Sequence, residues 1–571
     1  MGALTFVALL PFARLDFDRT HDGYVLADAM AVHEGLVIHK DVFGQYGPVL
    51  PWLQSWFLNI PIGPALAIRI LNSLLIAITV FLLADIGRVR TKYSPLTYGI
   101  GLWAAAAWLL LADVWIGVAM HPWSSTLTAL MSVGVLYLLT RALYFGEIHR
   151  TTAMRITATS AGLILGLAIF TKINVGVLLL VATLAGLLII ERRKAFLENL
   201  TTFVALGAFT SIVAVVVALF TQGALNAYWN QAILWPVRWG GGDATTPSAY
   251  LDLMKLLLPQ LLPVVLTLVI AWLWYLQHRA GQSGRTRPRW LVVLSTAAGI
   301  LIIAIEGRNL VLNAPGGDIA SQLLSPNFVY LNFTNPNYDY LYLFLALAFT
   351  CSLLSAAISF ILRVKGRIPT QVFGYWLLLA AMTLAGALTV IPRWDPRHVW
   401  WGIPIGLILI AACINLAGTL WQVLKNPLLI VLLAVAVMVG VSSVQTLGRP
   451  RVESPADWIT RGMYLPKDIS DAIERDFSFL SRYVLSDTRV VYLVPDGDLS
   501  ILLGHFQSAD PYFVSWGIPS TQAGRLNDAD VVIVYGLTNE GLSTELINDL
   551  KDFRVAETQG PYRIFIPNKG A

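Results

Sequence analysis

Long apolar runs recur down this 571-residue chain, and nothing else in the sequence constrains its fold as strongly. They lie near 64–86, 95–112, 121–145, 157–171, 173–190, 200–220, 253–277, 290–305, 338–362, 371–391, 398–422 and 427–445. A helix that spans a bilayer needs about 20 apolar residues, and most of these runs approach or exceed that. The opening MGALTFVALLPFA is shorter. It has no basic n-region and no A-x-A site, so it reads as the end of a first transmembrane helix with a truncated or misassigned start, not as a signal peptide. Together the runs predict about 13 spans. The pair around Thr171-Lys172-Ile173-Asn174 reads either as two half-helices or as one broken helix, which shifts that count by one or two. Only 13% of residues are charged, against about 25% in soluble proteins.

Basic residues set the orientation. Arg88/Arg90/Lys92, Arg141/Arg150/Arg155, Arg192/Arg193/Lys194, Arg279/Arg285/Arg287/Arg289 and Arg363/Lys365/Arg367 occupy every second connection. The positive-inside rule makes those connections cytoplasmic. The stretches 14–63, 113–120, 221–252, 306–337 and 391–397, and the turn near Lys172, are then external. An odd helix count puts the C-terminus outside too. Residues 1–449 hold 28 Lys+Arg and 17 Asp+Glu, whereas 450–571 hold 11 and 17. The basic excess thus belongs to the membrane part, where it reads as topology and not as nucleic-acid binding. Cys351 and Cys413 both fall in apolar runs and read as packing residues.

Residues 446–571 change character. DTRVVYLVP, DADVVIVYG, DFRVAETQ and PYRIFIP read as strands, and PKDISDAIERDFSFLSRYV and LSTELINDLKD as amphipathic helices. The alternation predicts a small extracytoplasmic α/β domain with a parallel sheet. It has no Gly-rich phosphate loop after its first strand, and Asp496-Gly497-Asp498 is a turn signal. The chain divides at this level into a membrane domain, 1–445, and a soluble domain, 446–571.

Six of the 17 acids before residue 450 crowd into the first external loop: Asp16, Asp18, Asp22, Asp28, Glu34 and Asp41. Ionisable residues are spent sparingly in a membrane protein, so such a cluster marks a reaction or ion site. A carboxylate there can take a proton from an attacking hydroxyl, and a second can orient the first or bind a divalent ion. Asp22 is the leading base candidate, with Asp18 and Asp41 beside it. VLADAMAVHEG reads as a helix stopped by Gly35, with Asp28 and Glu34 facing solvent. Gly44-Gln45-Tyr46-Gly47-Pro48 is a turn that presents Asp41, and Tyr46 joins the candidate substrate-binding residues. Lys172 supplies a cation at an external helix break; a phosphate needs such a partner, although a snorkelling lysine looks the same in sequence. Arg393-Trp394-Asp395-Pro396-Arg397-His398 is a second external cation cluster, and Arg393, Arg397 and His398 are candidate phosphate ligands. His121, before Pro122, opens a helix on the same side and reads as a cap or a substrate contact. The external aromatics read mainly as an interfacial belt.

An acidic loop after the first helix, a helix ending in Gly, and then His39-Lys40-Asp41-Val42-Phe43-Gly44-Gln45-Tyr46-Gly47-Pro48 together resemble the first external loop of GT-C glycosyltransferases. The likeness is greatest to the protein mannosyltransferase and aminoarabinose transferase branch. His21-Asp22-Gly23 stands where that branch carries Asp-Glu, so the resemblance assigns the base to Asp22, without the Glu. It implies a polyprenyl-phosphate-sugar donor drawn from membrane lipid. It further implies inverting transfer on the external face of the plasma membrane to a glycan, lipid or protein acceptor. No cofactor is demanded; a divalent cation, magnesium or manganese, is the one candidate. The competing reading, a transporter or flippase of lipid-linked sugar, predicts mid-membrane charges and an internal repeat. Apart from Asp85 the candidate acids lie in loops, and the two halves share no repeat.

Overall fold

The computed structural model describes residues 2–17, 21–44, 46–90, 122–147, 150–191, 199–234, 370–388, 447–454, 459–485, 488–493, 526, 529–535 and 544–568, with scattered residues between 352 and 368. The runs 95–112, 253–277, 290–305, 398–422 and 427–445 lie outside these residues, as do Asp18, His121, Arg393, Arg397 and His398.

The membrane part opens with α1 (Gly2–Ala13), followed by α2 (His21–His33) and α3 (Val49–Phe57) in the first loop and then α4 (Pro64–Arg90). Proline starts α4 at the position where a missing N–H costs nothing. Next come α5 (Ser124–Glu147), α6 (Thr151–Ile169), α7 (Ile173–Glu191) and α8 (Leu200–Thr221). A short α9 (Leu225–Tyr228) runs into a π-helical turn at Trp229–Leu234, and α10 (Thr370–Leu388) packs on α7. Among the described residues, stretches of α4, α5, α6 and α8 are long and apolar enough to cross a membrane, while α1, α7 and α10 hold shorter apolar stretches. The protein is therefore a multi-pass membrane protein. Helices also take in basic residues that the sequence assigned to connections. Arg141 and Arg155 lie inside α5 and α6, and Asp85 of α4 pairs with Arg141.

Small residues let α6 and α8 approach closely. A Cβ on Gly162 would sit 2.0 Å from the Val204 carbonyl oxygen, and one on Gly207 2.1 Å from that of Thr159. In lipid, where apolar surface gives helices little reason to associate, such backbone contact is the main attraction. Around Lys172 the chain forms two helices, α6 and α7, that fold back on each other. Gly176 lies against the backbone of Ala168 and Ile169 across this turn.

The C-terminal region begins with a two-residue antiparallel pair, β1 (Val452–Glu453) and β2 (Tyr464–Leu465), followed by α11 (Lys467–Leu480). Strands β3 (Val490–Leu493), β4 (Val531–Tyr535), β5 (Phe553–Gln559) and β6 (Tyr562–Pro567) form a sheet in the order β3-β4-β6-β5, with α12 (Thr544–Asp549) before β5. The expected parallel sheet is instead mixed. Among the described strands of this sheet, β3 and β4 run parallel, with Val490 opposite Val531, and β6 pairs antiparallel with β4 and β5. The reason is local: β5 and β6 are joined by a tight turn at Gly560 (φ +56°), which only an antiparallel hairpin can use. Side chains alternate across the sheet with the period of two that strands impose. Val491, Leu493, Val532 and Val534 face one apolar cluster with Phe553 and Phe565. Val490, Val531, Ile533, Tyr562 and Ile564 face the other, which runs through Ile473 and Phe479 to Leu26, Ala29 and Ile38 of the first loop and Ile68 of α4. One core therefore crosses the compositional boundary at 446.

Candidate functional site

Two corners of the first loop hold the residues that sequence singled out. The first forms where α2 meets α4. Asp22 stands in the first turn of α2, where a carboxylate complements the helix dipole. It is 1% exposed and paired with Arg69, itself 0% exposed. Arg69 also donates from Nη1 to the Leu15 carbonyl at 2.6 Å. Arg69 was missed in the sequence, although a lone arginine in the apolar run ALAIRILNSLLIAITV was the signal. Both charges are desolvated, so removing either partner would leave the other's charge poorly compensated in the core.

Asp28 corrects an expectation. It does not face solvent but is buried on α2, where loss of water pushes its carboxyl well above the usual range while a hydrogen bond with Tyr24 opposes that shift. Glu34 is exposed, and Gly35 ends the helix with φ +91°. The helix turns Asp28 inward because it packs two faces, one on α3 and one on the shared core.

The second corner is the turn from Val37 to Pro48. Asp41 is half-buried, and its Oδ2 accepts the Val37 N–H at 2.8 Å, so it shapes the loop. His39 sits in the turn with φ +72°, and its N–H donates to the Val42 carbonyl at 2.7 Å. Its ring is wholly buried. Gln231, from the π-helical turn, clamps it. The Gln231 amide donates to the His39 carbonyl at 3.0 Å, and its Oε1 accepts the Gly44 N–H at 3.1 Å. These two bonds fix the amide's orientation, so His39 Nδ1, 3.1 Å from Oε1, is the protonated nitrogen. Burial lowers the His39 pKa to about 4, and the hydrogen bond to Gln231 opposes that shift. The Tyr228 ring meets His39 edge-on at 5.0 Å and lies 5.6 Å from Phe170.

This corner brings together two motifs that lie far apart in sequence. Gly47 rests on the α6–α7 turn so closely that a Cβ there would sit 1.8 Å from the Phe170 carbonyl oxygen, which also accepts the Val49 N–H at 3.3 Å. Lys172 follows directly. Its side chain is 5% exposed, and its Nζ lies 5.0 Å over the ring of Tyr46. Lys172 is the residue that precedes α7, and the N-terminal end of that helix favours an anion.

Asp22 and Asp41 thus belong to different corners, each engaged by protein groups. Among the described residues no group of three or more His, Cys, Asp or Glu side chains is placed to hold a metal ion. Asp22 pairs with Arg69, and Asp41 bonds within its own turn.

No family model matches the chain, and no curated protein matches it. Among solved structures, the Archaeoglobus fulgidus oligosaccharyltransferase in complex with Zn and sulfate aligns with 94% of this chain and 67% of its own, at 10% identity and a TM-score of 0.49. ArnT from Cupriavidus metallidurans bound to undecaprenyl phosphate aligns over 99% and 96%, at 12% identity and a TM-score of 0.42. The arabinosyltransferase EmbB from Mycobacterium smegmatis aligns over 78% and 41%, at 14% identity and a TM-score of 0.29. The solved structures to which the chain is similar thus include an oligosaccharyltransferase, ArnT and an arabinosyltransferase.

Proposed function

We propose that the chain is a membrane glycosyltransferase. It moves a sugar from a polyprenyl-phosphate donor to an acceptor hydroxyl on the external face of the membrane. One observation carries the reading: Lys172, 5% exposed, converges with the N-terminus of α7 on the turn that holds Tyr46. Burial and the positive end of a helix concentrate positive potential at this turn. An anion entering from the bilayer would meet both the ammonium and the helix N–H groups. The neighbour bound to undecaprenyl phosphate names the same class of anion.

In this reading the acceptor oxygen attacks the anomeric carbon as the bond to the phosphate oxygen breaks. The lipid phosphate leaves with the bonding electrons and is held by Lys172. Asp22 takes the hydroxyl proton, and the anomeric carbon inverts. Arg69 keeps the Asp22 carboxylate oriented. Asp22 is 1% exposed, so the acceptor must part the cover of the first loop to reach it. Asp41 orders the turn beneath the sugar. Asp18, His121, Arg393, Arg397 and His398 remain proposed contacts from outside the described residues. The regular alternation of basic connections supports the external placement, and no step is routed through a metal.

The test is a transfer assay in membranes with a panel of polyprenyl-phosphate sugars. Asp22→Asn and Lys172→Ala should each lower transfer by about 10²-fold or more. Undiminished transfer by Lys172→Ala removes it from the phosphate site. Accumulation of labelled sugar without a covalent product replaces the transferase with a transporter.

A further inference from the structure

Residues 14–16 are held by two arginines far apart in sequence, Arg69 and Arg451. Arg451 holds Asp16 with both arms of its fork, Nε to Oδ1 at 2.7 Å and Nη2 to Oδ2 at 2.9 Å. The pair is 5% and 14% exposed. Tyr464 adds a strand-like exchange. The Asp16 N–H donates to the Tyr464 carbonyl at 2.9 Å, and the Tyr464 N–H donates to the Arg14 carbonyl at 2.6 Å. Arg14 returns to the same hairpin, donating to the Gly462 carbonyl at 2.9 Å with its guanidinium 4.7 Å over the Tyr464 ring. Asp16 has φ +57°, a conformation that a non-glycine residue holds only when its surroundings impose it. Between these anchors lies Leu15, whose carbonyl accepts from Arg69, and Arg69 pairs with Asp22.

We infer that the hairpin at 451–464 positions the proposed base, with Arg451 and Tyr464 acting on Asp22 through Leu15 and Arg69. The inference rests on the transferase reading for its consequence but not for its geometry. A guanidinium is planar, so fixing one of its nitrogens fixes the direction of the next. The Leu15 carbonyl is that fixed point, and it is set on one side by Arg14 and on the other by Asp16. The C-terminal region is thereby part of the assembly of the site. Cutting the Arg451–Asp16 grip loosens Asp22 without touching it, and small misplacements of a reacting group cost rate steeply.

The experiment uses the full chain in detergent or nanodiscs and compares Arg451→Ala, Arg451→Lys and Asp16→Asn. The asparagine tolerates the positive φ and removes only the charge, so it carries the test if Arg451→Ala does not accumulate. Arg489→Ala, at the exposed Arg489–Asp530 pair, is the control for a remote change in the same region. Hydrogen exchange over residues 14–26 should quicken in Arg451→Ala and Asp16→Asn and stay unchanged in Arg489→Ala. Transfer should fall roughly tenfold in kcat with little change in KM for the polyprenyl-phosphate donor, the acidic limb of the pH–rate profile should move, and Arg451→Lys should recover part of the loss. Unchanged exchange in both variants overturns the inference, and so does quickened exchange with a wild-type kcat and pH profile. If exchange quickens while the wild-type protein transfers no sugar, the coupling stands and the transferase reading falls.

Discussion

The two corners of the first loop solve the same problem with opposite chemistry. Both fix a short, polar stretch against distant parts of the chain. At 14–22 the stretch is held by buried ion pairs, Asp16 with Arg451 and Asp22 with Arg69, and by backbone pairing with the C-terminal hairpin. At 37–48 it is held by a neutral histidine clamped by Gln231, by aromatic contacts and by a glycine pressed on a carbonyl. In the first corner charge answers charge within the fold. In the second, the Lys172 Nζ lies 5.0 Å over the ring of Tyr46. The difference lies in how each stretch is fixed: buried ion pairs hold the first corner, while a histidine, a glutamine amide and aromatic contacts hold the second.

The largest effect should come from breaking the charged corner on one side only. Arg69→Met leaves Asp22 buried without its cation and should destabilise the protein by about 3–5 kcal/mol. Adding Asp22→Asn should recover most of that stability while leaving transfer abolished. Thermal unfolding of the single and double variants measures both steps; a single variant as stable as wild type would mean that charge does not hold this corner.

The neutral corner should answer to pH instead. His39 has a folded pKa of about 4 against an ordinary value of 6.5. The unfolded chain therefore binds the extra proton between those values, and stability falls as pH drops from about 6.5 to 4, by on the order of 3 kcal/mol in total. His39→Asn, which suits the positive φ, should flatten the slope of melting temperature against pH in that window. An equally steep slope in the variant would move the effect to another group.

Gly47→Ala probes how the neutral corner docks. The new Cβ meets backbone at the Phe170 carbonyl, so the turn must shift off the α6–α7 junction. A loss of about 1–3 kcal/mol is expected, together with a raised KM for the lipid donor as Tyr46 leaves Lys172. An unchanged KM would detach the turn from donor binding.

The smallest effect lies on the helix between the corners. Asp28 holds its proton in the fold at pH values where the unfolded chain has lost it, so its burial costs stability as pH rises above the ordinary carboxylate value. Asp28→Asn removes that cost and can still accept the Tyr24 hydroxyl. A gain of about 1 kcal/mol at neutral pH is expected in thermal unfolding, absent near pH 3.

Much of this was legible in the chain because it depends on local pattern. Apolar length marked α4, α5 and α8; Gly35 marked the end of α2; and the Val-rich runs marked β3 and β4. The turn at Gly44–Pro48 and the cation at Lys172 were each visible as local departures from the apolar background. The sequence alone thus determined that the chain is a multi-pass membrane protein and which stretch gathers its scarce charge, since hydropathy and charge spacing are additive along a segment. Tertiary structure decided the partners. That Asp22 answers to Arg69, that Asp16 answers to Arg451 some 435 residues away, and that Tyr46 lies under Lys172 follow from which helix faces meet. Asp28 shows the same limit, because one residue on an amphipathic-looking helix turns inward when two surfaces, not one, close on it. Desolvation and ion pairing arise only when distant segments exclude water together, and no local pattern encodes that meeting.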